Sequence, residues 1–278
     1  MGDISGNPIW MDQARQWARL GPPLRPSRED VDLVESQVAH WQQRNPGRSL
    51  RALLLGVTPE LATLRWPEGT SLLAVDRSEG MIATVWPKQG TPEGASVACS
   101  DWRALPLDKA TIDIVVGDGA VNALANSEAY APFTRELHRV LAPGGLVHLR
   151  TFVAPTERES LDAIAADLDA GKIRSFHALK WRIAMALPTN IARGTALDEV
   201  WRAWRSMCPD EDALAALLAC DRGTVDTIHT YRGSTATYTF PTHTELRAAF
   251  DGLFVERSIV TPSYELGERC PSIVFEAR

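Results

Sequence analysis

The stretch from Arg51 to Phe152 constrains the fold most strongly, because short apolar runs alternate there with helical patterns. The apolar runs predict five strands: Ala52–Leu55, Leu72–Val75, Val97–Cys99, Ile112–Val116 and Leu146–Phe152. The predicted helices begin at Pro59, pass through Met81, Ile82 and Val85, and run from about Ser127 to Leu141, before the sequence APGG. Apolar strands that alternate with helices predict a doubly wound α/β fold, in which a mostly parallel sheet is covered on both faces.

The C-terminal part of the chain predicts one reversal of strand direction. Leu253–Val260 and Ser272–Phe275 have the pattern of strands, and Pro262, Gly267 and Pro271 interrupt the link between them. Such a link is too short for a crossover helix. We therefore expect these two strands to be antiparallel neighbours.

Additions to the α/β core divide the chain into four predicted parts. They are an N-terminal helical segment (1–48), the main part of the core (49–154), a largely helical insertion (155–240) and the C-terminal part of the core sheet (241–278). Within the insertion, residues 156–222 predict helices without a strand, and residues 225–240 have a β-like pattern. A helix capped by Thr242 and extending to Phe250 follows the insertion.

Two helices are predicted in the N-terminal segment. The apolar positions of the first are Ile9, Trp10, Ala14, Trp17 and Ala18. Ser27 begins the second helix, and Asp30 stands three residues later, as in a capping box.

Composition and charge exclude several classes of protein. The chain has 278 residues and a net charge of −6, so no overall positive field would attract nucleic acid or an anionic membrane. No apolar run approaches the roughly 20 residues of a membrane span, and the N-terminus lacks the pattern of a secretory signal. Four scattered cysteines and six dispersed histidines form no ligand pattern, so we expect no metal site. These features predict a cytoplasmic protein.

Ligands of open α/β sheets bind at the carboxyl ends of the strands. In this chain those ends supply Gly56, Asp76, Asp101 and the segment Gly117–Gly119. Asp76 follows Gly56 by twenty residues, a spacing that suits a carboxylate bound to the hydroxyl groups of a ribose. The alternative is that Asp76 only caps the helix that starts near Ser78.

The turn after the first strand favours a cofactor without phosphate groups. Gly56 stands alone, whereas dinucleotide-binding turns carry several glycines. Thr58 occupies the N-cap position, Pro59 begins the helix, and Glu60 places a negative charge in its first turn. That charge would repel a phosphate group. S-adenosylmethionine has a ribose but no phosphate, so it suits this turn better than NAD.

Four stretches of the chain together resemble the class I S-adenosylmethionine-dependent methyltransferases. They are LLLGVTPEL, LLAVDRSEGMI, SDWRALPLDKATIDIVVGDGAVNAL and LHRVLAPGGLVHLRTF, in the order and spacing of that family's motifs. The resemblance implies a seven-stranded sheet with an antiparallel C-terminal strand, S-adenosylmethionine as the cofactor, and a substrate lid formed by the insertion. The single glycine of the first turn departs from the family, which usually has more.

The resemblance also implies a set of cofactor-binding residues. Gly56 would lie under the methionyl part, Asp76 would hold the ribose, and Asp101 would bind the adenine amino group. The full set is Gly56, Thr58, Pro59, Asp76, Arg77, Met81, Asp101, Trp102, Asp118 and Gly119. Met81 also fits a plain core position, and the sequence around Asp101 also fits a capped turn.

Candidate substrate-pocket residues lie mainly in the added segments. They are Trp10, Trp17, Arg25, Asn122, Arg150, Trp181, Arg182 and Tyr264, and further insertion residues of interest are Asn190, Trp201, Trp204 and Arg205. Arg25, Arg150 and Arg182 would hold an anionic group of the acceptor. The alternative for the tryptophans is that they pack the insertion onto the sheet.

The sequence gives little indication of which residues are catalytic. Methyl transfer mainly requires alignment of the reacting atoms, and a general base only when the acceptor is protonated. Glu268, next to Arg269, is the candidate general base, and no other catalytic residue is assigned. His148 is expected to be a satisfied core histidine, and Cys270 a buried inert thiol.

Three functions are compatible with the sequence. The first is a methyltransferase for a small-molecule acceptor, since the Asn/Asp-Pro-Pro-aromatic motif of enzymes that methylate nucleic-acid bases is missing. The second is a methyltransferase-like protein that binds the cofactor without methyl transfer, in a regulatory or scaffold role. The third is another nucleotide-binding enzyme, such as a reductase, which Glu60 and the C-terminal hairpin disfavour. The oligomeric state cannot be derived from these patterns.

Overall fold

A seven-stranded sheet forms the centre of the protein. The computed structural model describes residues 14–187 and 190–278. The strands in these ranges are β1 (Arg51–Leu55), β2 (Ser71–Asp76), β3 (Ser96–Cys99), β4 (Ile112–Asp118), β5 (Leu141–Arg150), β6 (Thr195–Ala196), β7 (Thr237–Tyr238), β8 (Phe254–Val260) and β9 (Ser272–Ala277). The strands β6 and β7 form a separate pair, and the other seven form the main sheet. The main sheet has the order β3-β2-β1-β4-β5-β9-β8, and β9 runs antiparallel to both of its neighbours while the other six strands point the same way. The predicted fold class and the antiparallel C-terminal pair are confirmed.

Helices cover both faces of this sheet and build the insertion. They are α1 (Arg28–Arg44), α2 (Pro59–Ala62), α3 (Glu79–Val85), α4 (Tyr130–Val140), α5 (Leu161–Asp169), α6 (Phe176–Ala186), α7 (Leu197–Met207), α8 (Glu211–Leu217), α9 (Arg222–Asp226) and α10 (His243–Phe250). The capping boxes predicted at Ser27 and found at Thr242 begin α1 and α10. No helix in the described ranges is both long and apolar enough to cross a membrane.

The alternation of side chains along β1 shows how the two faces are filled. Leu53 and Leu55 point to the layer that contains α4 and α10, whereas Ala52 and Leu54 point to the layer that contains α1. All four side chains are at most 1% exposed. Burying each of the three leucines contributes roughly 1.5–3 kcal/mol, so the strand is fixed from both sides.

The insertion has an apolar core of its own. Phe176 on α6 and Trp204 on α7 are almost fully buried, and their ring centroids are 6.3 Å apart. The short strands β6 and β7 pair antiparallel, and the segment from α7 to the 3₁₀-helix Thr227–Tyr231 lies between them in sequence. The prediction of helices over 156–222 is therefore correct except for β6.

The β-like interpretation of residues 225–240 is wrong for most of that stretch. Residues 222–231 are helical, first as α9 and then as a 3₁₀-helix, Thr227–Tyr231, and only β7 is extended. Asp221 caps α9 by accepting the backbone N–H of Thr224. The hydroxyls of Thr227 and Thr230 donate to carbonyls three residues earlier. These local bonds outweigh the strand preference of a sequence rich in Thr, Val, Ile and Tyr.

Two boundaries differ from those predicted. β5 begins at Leu141, directly after α4, so the APGG sequence lies inside the strand and not in a loop. A side chain at Gly145 would lie 2.8 Å from the carbonyl oxygen of Ala142, which explains the glycine. The first N-terminal helix was predicted across Trp10, which lies outside the described residues, and the described part of it gives way to a 3₁₀-helix at Trp17–Arg19.

Candidate active site

A cleft lies at the carboxyl ends of β1, β2 and β4, where the α/β topology predicts a ligand. Its walls are completed by residues 16–24 of the N-terminal segment and by α6, the 3₁₀-helix Thr227–Tyr231 and β7 of the insertion. The cleft therefore has a half built by the sheet and a half built by the added segments. Nine of the ten predicted cofactor residues lie in its wall or next to it; the lining ones are Gly56, Thr58, Asp76, Arg77, Met81, Asp101, Trp102, Asp118 and Gly119.

Gly56, Asp76 and Trp102 meet at the end of β1. Gly56 has a φ of +93°, a backbone conformation that favours glycine. Asp76 accepts the backbone N–H of Ser78 at 2.8 Å through Oδ1, and the indole N–H of Trp102 donates to the carbonyl of Val75 at 2.6 Å. Burial raises the pKa of Asp76 to about 6. A half-buried carboxylate with a second oxygen available could accept hydrogen bonds from two vicinal hydroxyl groups.

The turn into α2 agrees in part with its sequence interpretation. Pro59 is the first residue of α2, as predicted, and Thr58 occupies the N-cap position. The Thr58 side chain makes no capping hydrogen bond, so the predicted cap is absent. Arg25 donates from Nε to Glu60 at 2.7 Å, which compensates the charge that was expected to repel phosphate. The argument against phosphate therefore depends less on Glu60 than the sequence suggested.

Asp101 and Met81 take positions that fit more than one role. Arg103 binds Asp101 through its backbone N–H at 2.8 Å and its Nε at 2.9 Å. The hydrogen bonds from Arg103 lower the pKa of Asp101, so this carboxylate is ionised at neutral pH. Met81 lines the cleft and also packs against Val57 and Val85, so it belongs to both the cleft and the core.

Asp118 and Gly119 border the cleft where the sheet half meets the added half. Asp118 forms a 2.6 Å ion pair with Nε of Arg150, which is only 4% exposed. Gly119 has a φ of +62°, and a side chain there would lie 3.0 Å from the ring of Phe152. Glycine therefore lets Phe152 approach the backbone at the point where the two halves join.

Aromatic side chains line the added half. The Phe152 and Trp181 rings are 5.2 Å apart, and the Trp181 and Tyr238 rings are 5.6 Å apart. Trp17 of the N-terminal segment also lines the cleft, and the guanidinium of Arg25 lies 5.2 Å from the centroid of its ring. This half offers an apolar chamber with flat walls.

Two of the predicted pocket residues, Trp17 and Trp181, line the cleft as expected, and so does Asn122. The amide group of Asn122 donates to the carbonyls of Phe152 and Thr239, both at 2.7 Å, and accepts the N–H of Phe152. Its polar atoms are thus occupied by the backbone. Asn122 holds the cleft wall together and offers little to a ligand.

The predicted anion-binding arginines lie outside the lining and are engaged elsewhere. Arg25 binds Glu60, Arg150 binds Asp118, and Arg182 binds Glu159 and Asp167. The hydroxyl of Tyr264 accepts from Arg150 at 2.9 Å, and Tyr264 does not line the cleft either. Trp10 lies outside the described residues.

The remaining insertion residues support its packing. Trp204 is fully buried, whereas Trp201 is half-buried and donates from its indole nitrogen to His229. Arg205 binds Glu211 and the carbonyl of Pro209, and Asn190 is exposed. None of the four lines the cleft.

His148 and Cys270 are both buried, as expected, but His148 differs in its hydrogen bonding. Neither ring nitrogen of His148 has a hydrogen-bond partner among the described residues. The prediction that its hydrogen bonds would be satisfied is therefore wrong. Burial lowers its pKa to about 4, so the ring is neutral. Burial raises the pKa of Cys270 to about 12, which makes the thiol unreactive.

Glu268 is 67% exposed and lies outside the cleft lining. A base must reach the proton that it removes. We therefore expect Glu268→Gln to leave methyl transfer within about twofold of wild type, since an exposed group outside the site contributes little. Steady-state rates of both proteins at several pH values check this. A pH-dependent loss of the rate in the variant would restore Glu268 as a base.

A cluster of metal-ligating side chain types lies outside the cleft. The ligand atoms of Glu211, Asp226 and His229 are within 4.8 Å of one another. Arg222 forms ion pairs with both carboxylates, and His229 binds Glu211 at 3.2 Å. The guanidinium of Arg222 thus compensates the negative charge of these carboxylates, as a metal ion otherwise would.

Sequence reasoning missed Lys180, Thr227, Thr230 and Tyr231, which line the added half of the cleft. Lys180 had one available signal. It is a lysine inside the mostly apolar helix sequence FHALKWRIAMA, in which nine residues, Lys180 included, are buried. The threonines gave no such signal, because their stretch was read as a strand.

The core of the chain is similar in sequence to a known protein family. Residues 53–149 match the family model described as a methyltransferase domain. This range spans β1 to the end of β5 and includes nearly all of the sheet half of the cleft. A search of curated proteins found no match.

Solved structures with similar folds share little sequence with this chain. A candidate O-methyltransferase of Nostoc punctiforme has a TM-score of 0.55 and 11% identity, over 98% of this chain and 60% of that chain. A protein of Rhodobacter sphaeroides named as a candidate zinc-dependent alcohol dehydrogenase has a TM-score of 0.54 and 14% identity, over 96% and 98%. A candidate methyltransferase of Haloferax volcanii, solved with a methyltransferase activator, has a TM-score of 0.50 and 13% identity, over 96% of each chain. At these identities the likeness concerns the fold alone.

The seven-stranded order with its reversed β9, the cleft at the ends of β1, β2 and β4, and the matched domain agree with one another. Residues 53–149 therefore form a methyltransferase domain, and the fold around it agrees with that of the class I methyltransferases, whose cofactor is S-adenosylmethionine.

Proposed function

We propose that the protein transfers the methyl group of S-adenosylmethionine to a small-molecule acceptor by in-line displacement. The observation that carries this proposal is the continuity of the cleft. The sheet half, with Gly56 and Asp76, opens directly into the aromatic half formed by Phe152, Trp181 and Tyr238. A chamber walled on several sides by the insertion and the N-terminal segment suits a small molecule better than a nucleic acid, and the net charge of −6 agrees.

The residues of the sheet half fit the cofactor. Gly56 leaves its backbone without a side chain, Asp76 offers a half-buried carboxylate for ribose, and Trp102 offers an aromatic edge beside both. When bound, S-adenosylmethionine supplies a methyl carbon activated by a positively charged sulfur.

The remaining task of the protein is alignment. In-line displacement requires the acceptor atom, the methyl carbon and the sulfur to lie on one line, which converts a bimolecular reaction into an effectively unimolecular one. The rings of Phe152 and Trp181 would hold an acceptor at the junction near Gly119, where the two halves meet. The same rings would exclude water from the reacting centre.

The experiment uses S-adenosylmethionine with an isotopically labelled methyl group and a cell extract separated into small molecules and macromolecules. We expect labelled product only in the small-molecule fraction, together with formation of S-adenosylhomocysteine. The Trp181→Ala variant should lose most of this transfer while it still binds S-adenosylhomocysteine, because Trp181 lines only the added half. Label found only in protein or nucleic acid would contradict the proposal.

A further inference from the structure

A buried lysine lies in the wall of the added half of the cleft. Lys180 on α6 is 1% exposed, and it lines the cleft together with Thr227, Thr230 and Tyr231. The three predicted arginines do not line the cleft, and each is paired with a carboxylate. Lys180 is therefore the cation that the insertion itself places at the chamber, within the described part of the chain.

Lys180 has few partners for a buried amine. Its Nζ donates one hydrogen bond, at 2.9 Å, to the hydroxyl oxygen of Thr227. The Thr227 hydroxyl donates in turn to the carbonyl of Thr224 at 2.7 Å, so its oxygen can only accept from Lys180. An ammonium group has three N–H donors, which leaves two without a hydrogen-bond partner among the described residues.

Aromatic rings surround Lys180, and in the described part of the chain no anion compensates its charge. The rings of Phe176 and Tyr231 lie 5.3 and 5.5 Å from Nζ, as in cation–π contacts. No carboxylate of the described residues forms an ion pair with Lys180. Burial alone lowers its pKa to about 7, so the amine changes charge near neutral pH. A buried ammonium without a counter-ion is costly, and an anion in the cleft would remove that cost.

We propose that Lys180 is a specificity-determining residue that pairs with a carboxylate of the methyl acceptor. This inference rests on the proposed function, because it concerns the acceptor half of the same cleft. The acceptor would have a flat or apolar body, held by Trp181 and Tyr238, and a carboxylate directed at Nζ of Lys180. The two remaining N–H groups of Lys180 would donate to that carboxylate as charge-assisted hydrogen bonds.

The experiment measures binding of matched acids and amides, with S-adenosylhomocysteine at saturation. The probes are benzoate with benzamide, phenylacetate with phenylacetamide, and hexanoate with hexanamide, and calorimetry gives each affinity. We expect at least one acid to bind about tenfold or more tightly than its amide near pH 6, as two charge-assisted hydrogen bonds would give. Above about pH 7 the affinity for the acid should fall towards tenfold per pH unit, because the deprotonated amine no longer attracts it.

Two variants separate this role from a structural one. Lys180→Met removes the charge and the donor, whereas Lys180→Gln keeps a donor for Thr227. Both should bind acid and amide equally, and both should lose the dependence on pH between about 6 and 8 that Lys180 imposes. Lys172→Met is the matched control, because Lys172 is an exposed lysine of the insertion, paired with Asp167. It should bind the probes as wild type does.

The outcomes that overturn the inference are distinct. If wild type binds S-adenosylhomocysteine but prefers no acid to its amide, Lys180 does not select a carboxylate. The inference also fails if the folded variants keep the preference for acids. A tenfold or larger loss of S-adenosylhomocysteine affinity in Lys180→Gln would assign the lysine to the cofactor instead. Failure of wild type to bind S-adenosylhomocysteine at all would overturn the proposed function as well.

Discussion

Replacing Asp76 with Asn is expected to weaken cofactor binding and, at neutral pH, to stabilise the protein without its cofactor. Asp76 is the half-buried carboxylate at the end of β2, next to Gly56 and Trp102. Hydrogen bonds from ribose hydroxyls to a charged acceptor contribute about 1.5–3 kcal/mol each. Loss of the charge should therefore raise the Kd for S-adenosylmethionine by roughly 30-fold or more, as calorimetry would measure.

The stability of the variant follows from the pKa of Asp76. Burial raises that pKa from 3.8 to about 6, so the folded protein binds a proton more tightly than the unfolded chain does. The contribution of Asp76 to the free energy of unfolding is therefore fully present below about pH 4, and it is lost as the pH rises through about 6. At neutral pH the charged carboxylate costs about 3 kcal/mol, and Asn does not carry this cost. Its amide oxygen can still accept the N–H of Ser78.

Denaturant unfolding at acid and neutral pH tests the stability change. Asp76→Asn should exceed wild type in the free energy of unfolding at neutral pH and approach it in acid. Asp101→Asn is the matched control, because hydrogen bonds from Arg103 lower the pKa of Asp101, so removing its charge should not stabilise the protein. If Asp76→Asn binds the cofactor as wild type does, Asp76 only orders the turn that leads to Ser78, the N-cap of α3.

Cofactor affinity should also depend on pH through Asp76. Ribose hydroxyls donate to the charged carboxylate, so binding favours the deprotonated form. The affinity of wild type should fall as the pH drops below about 6, by up to tenfold per pH unit. Asp76→Asn should show no such fall.

The sheet could be predicted from sequence because its strands are buried on both faces. In β1 the residues Ala52–Leu55 are all apolar, and a run of this kind between helical patterns has few other interpretations. Residues 225–231 were predicted as part of a β-like stretch, because β-branched and aromatic residues dominate there as in a strand. Their helical state is decided by the Asp221 cap and by threonine hydroxyls bonded to nearby carbonyls. Composition does not reveal such bonds.

The two halves of the cleft differ in how far sequence could predict them. Strand ends place Gly56 and Asp76 whatever the rest of the chain does, so the sheet half was predictable. The arginines were misjudged because their partners are distant in sequence. Arg25 and Glu60 are 35 residues apart, and Arg182 and Glu159 are 23 apart. Whether a cation is free for a ligand depends on tertiary contacts, and for that reason Lys180 emerged only from the structure.

The buried ion pair between Asp118 and Arg150 is expected to give the largest loss of stability on single substitution. Arg150 is 4% exposed; it donates to Asp118 at 2.6 Å, to the carbonyl of Pro23 at 2.8 Å and to the hydroxyl of Tyr264 at 2.9 Å. Burial opposes its charge, but the Asp118 carboxylate outweighs that effect and raises the pKa of Arg150. In Asp118→Asn the guanidinium stays charged and loses its main counter-ion.

We expect Asp118→Asn to lower the free energy of unfolding by about 3–5 kcal/mol, because an unpaired buried charge is left behind. The double variant Asp118→Asn with Arg150→Met removes both charges and should recover more than half of that loss. Glu276→Gln serves as the control, because Glu276 pairs on the surface with the half-exposed Arg257, and such pairs contribute at most about 1 kcal/mol. Chemical denaturation of wild type, Asp118→Asn, Arg150→Met and the double variant gives the coupling energy, and Glu276→Gln is measured beside them. If the double variant is no more stable than Asp118→Asn, the loss arises from packing at the junction of the cleft, and the charge of Arg150 is not its cause.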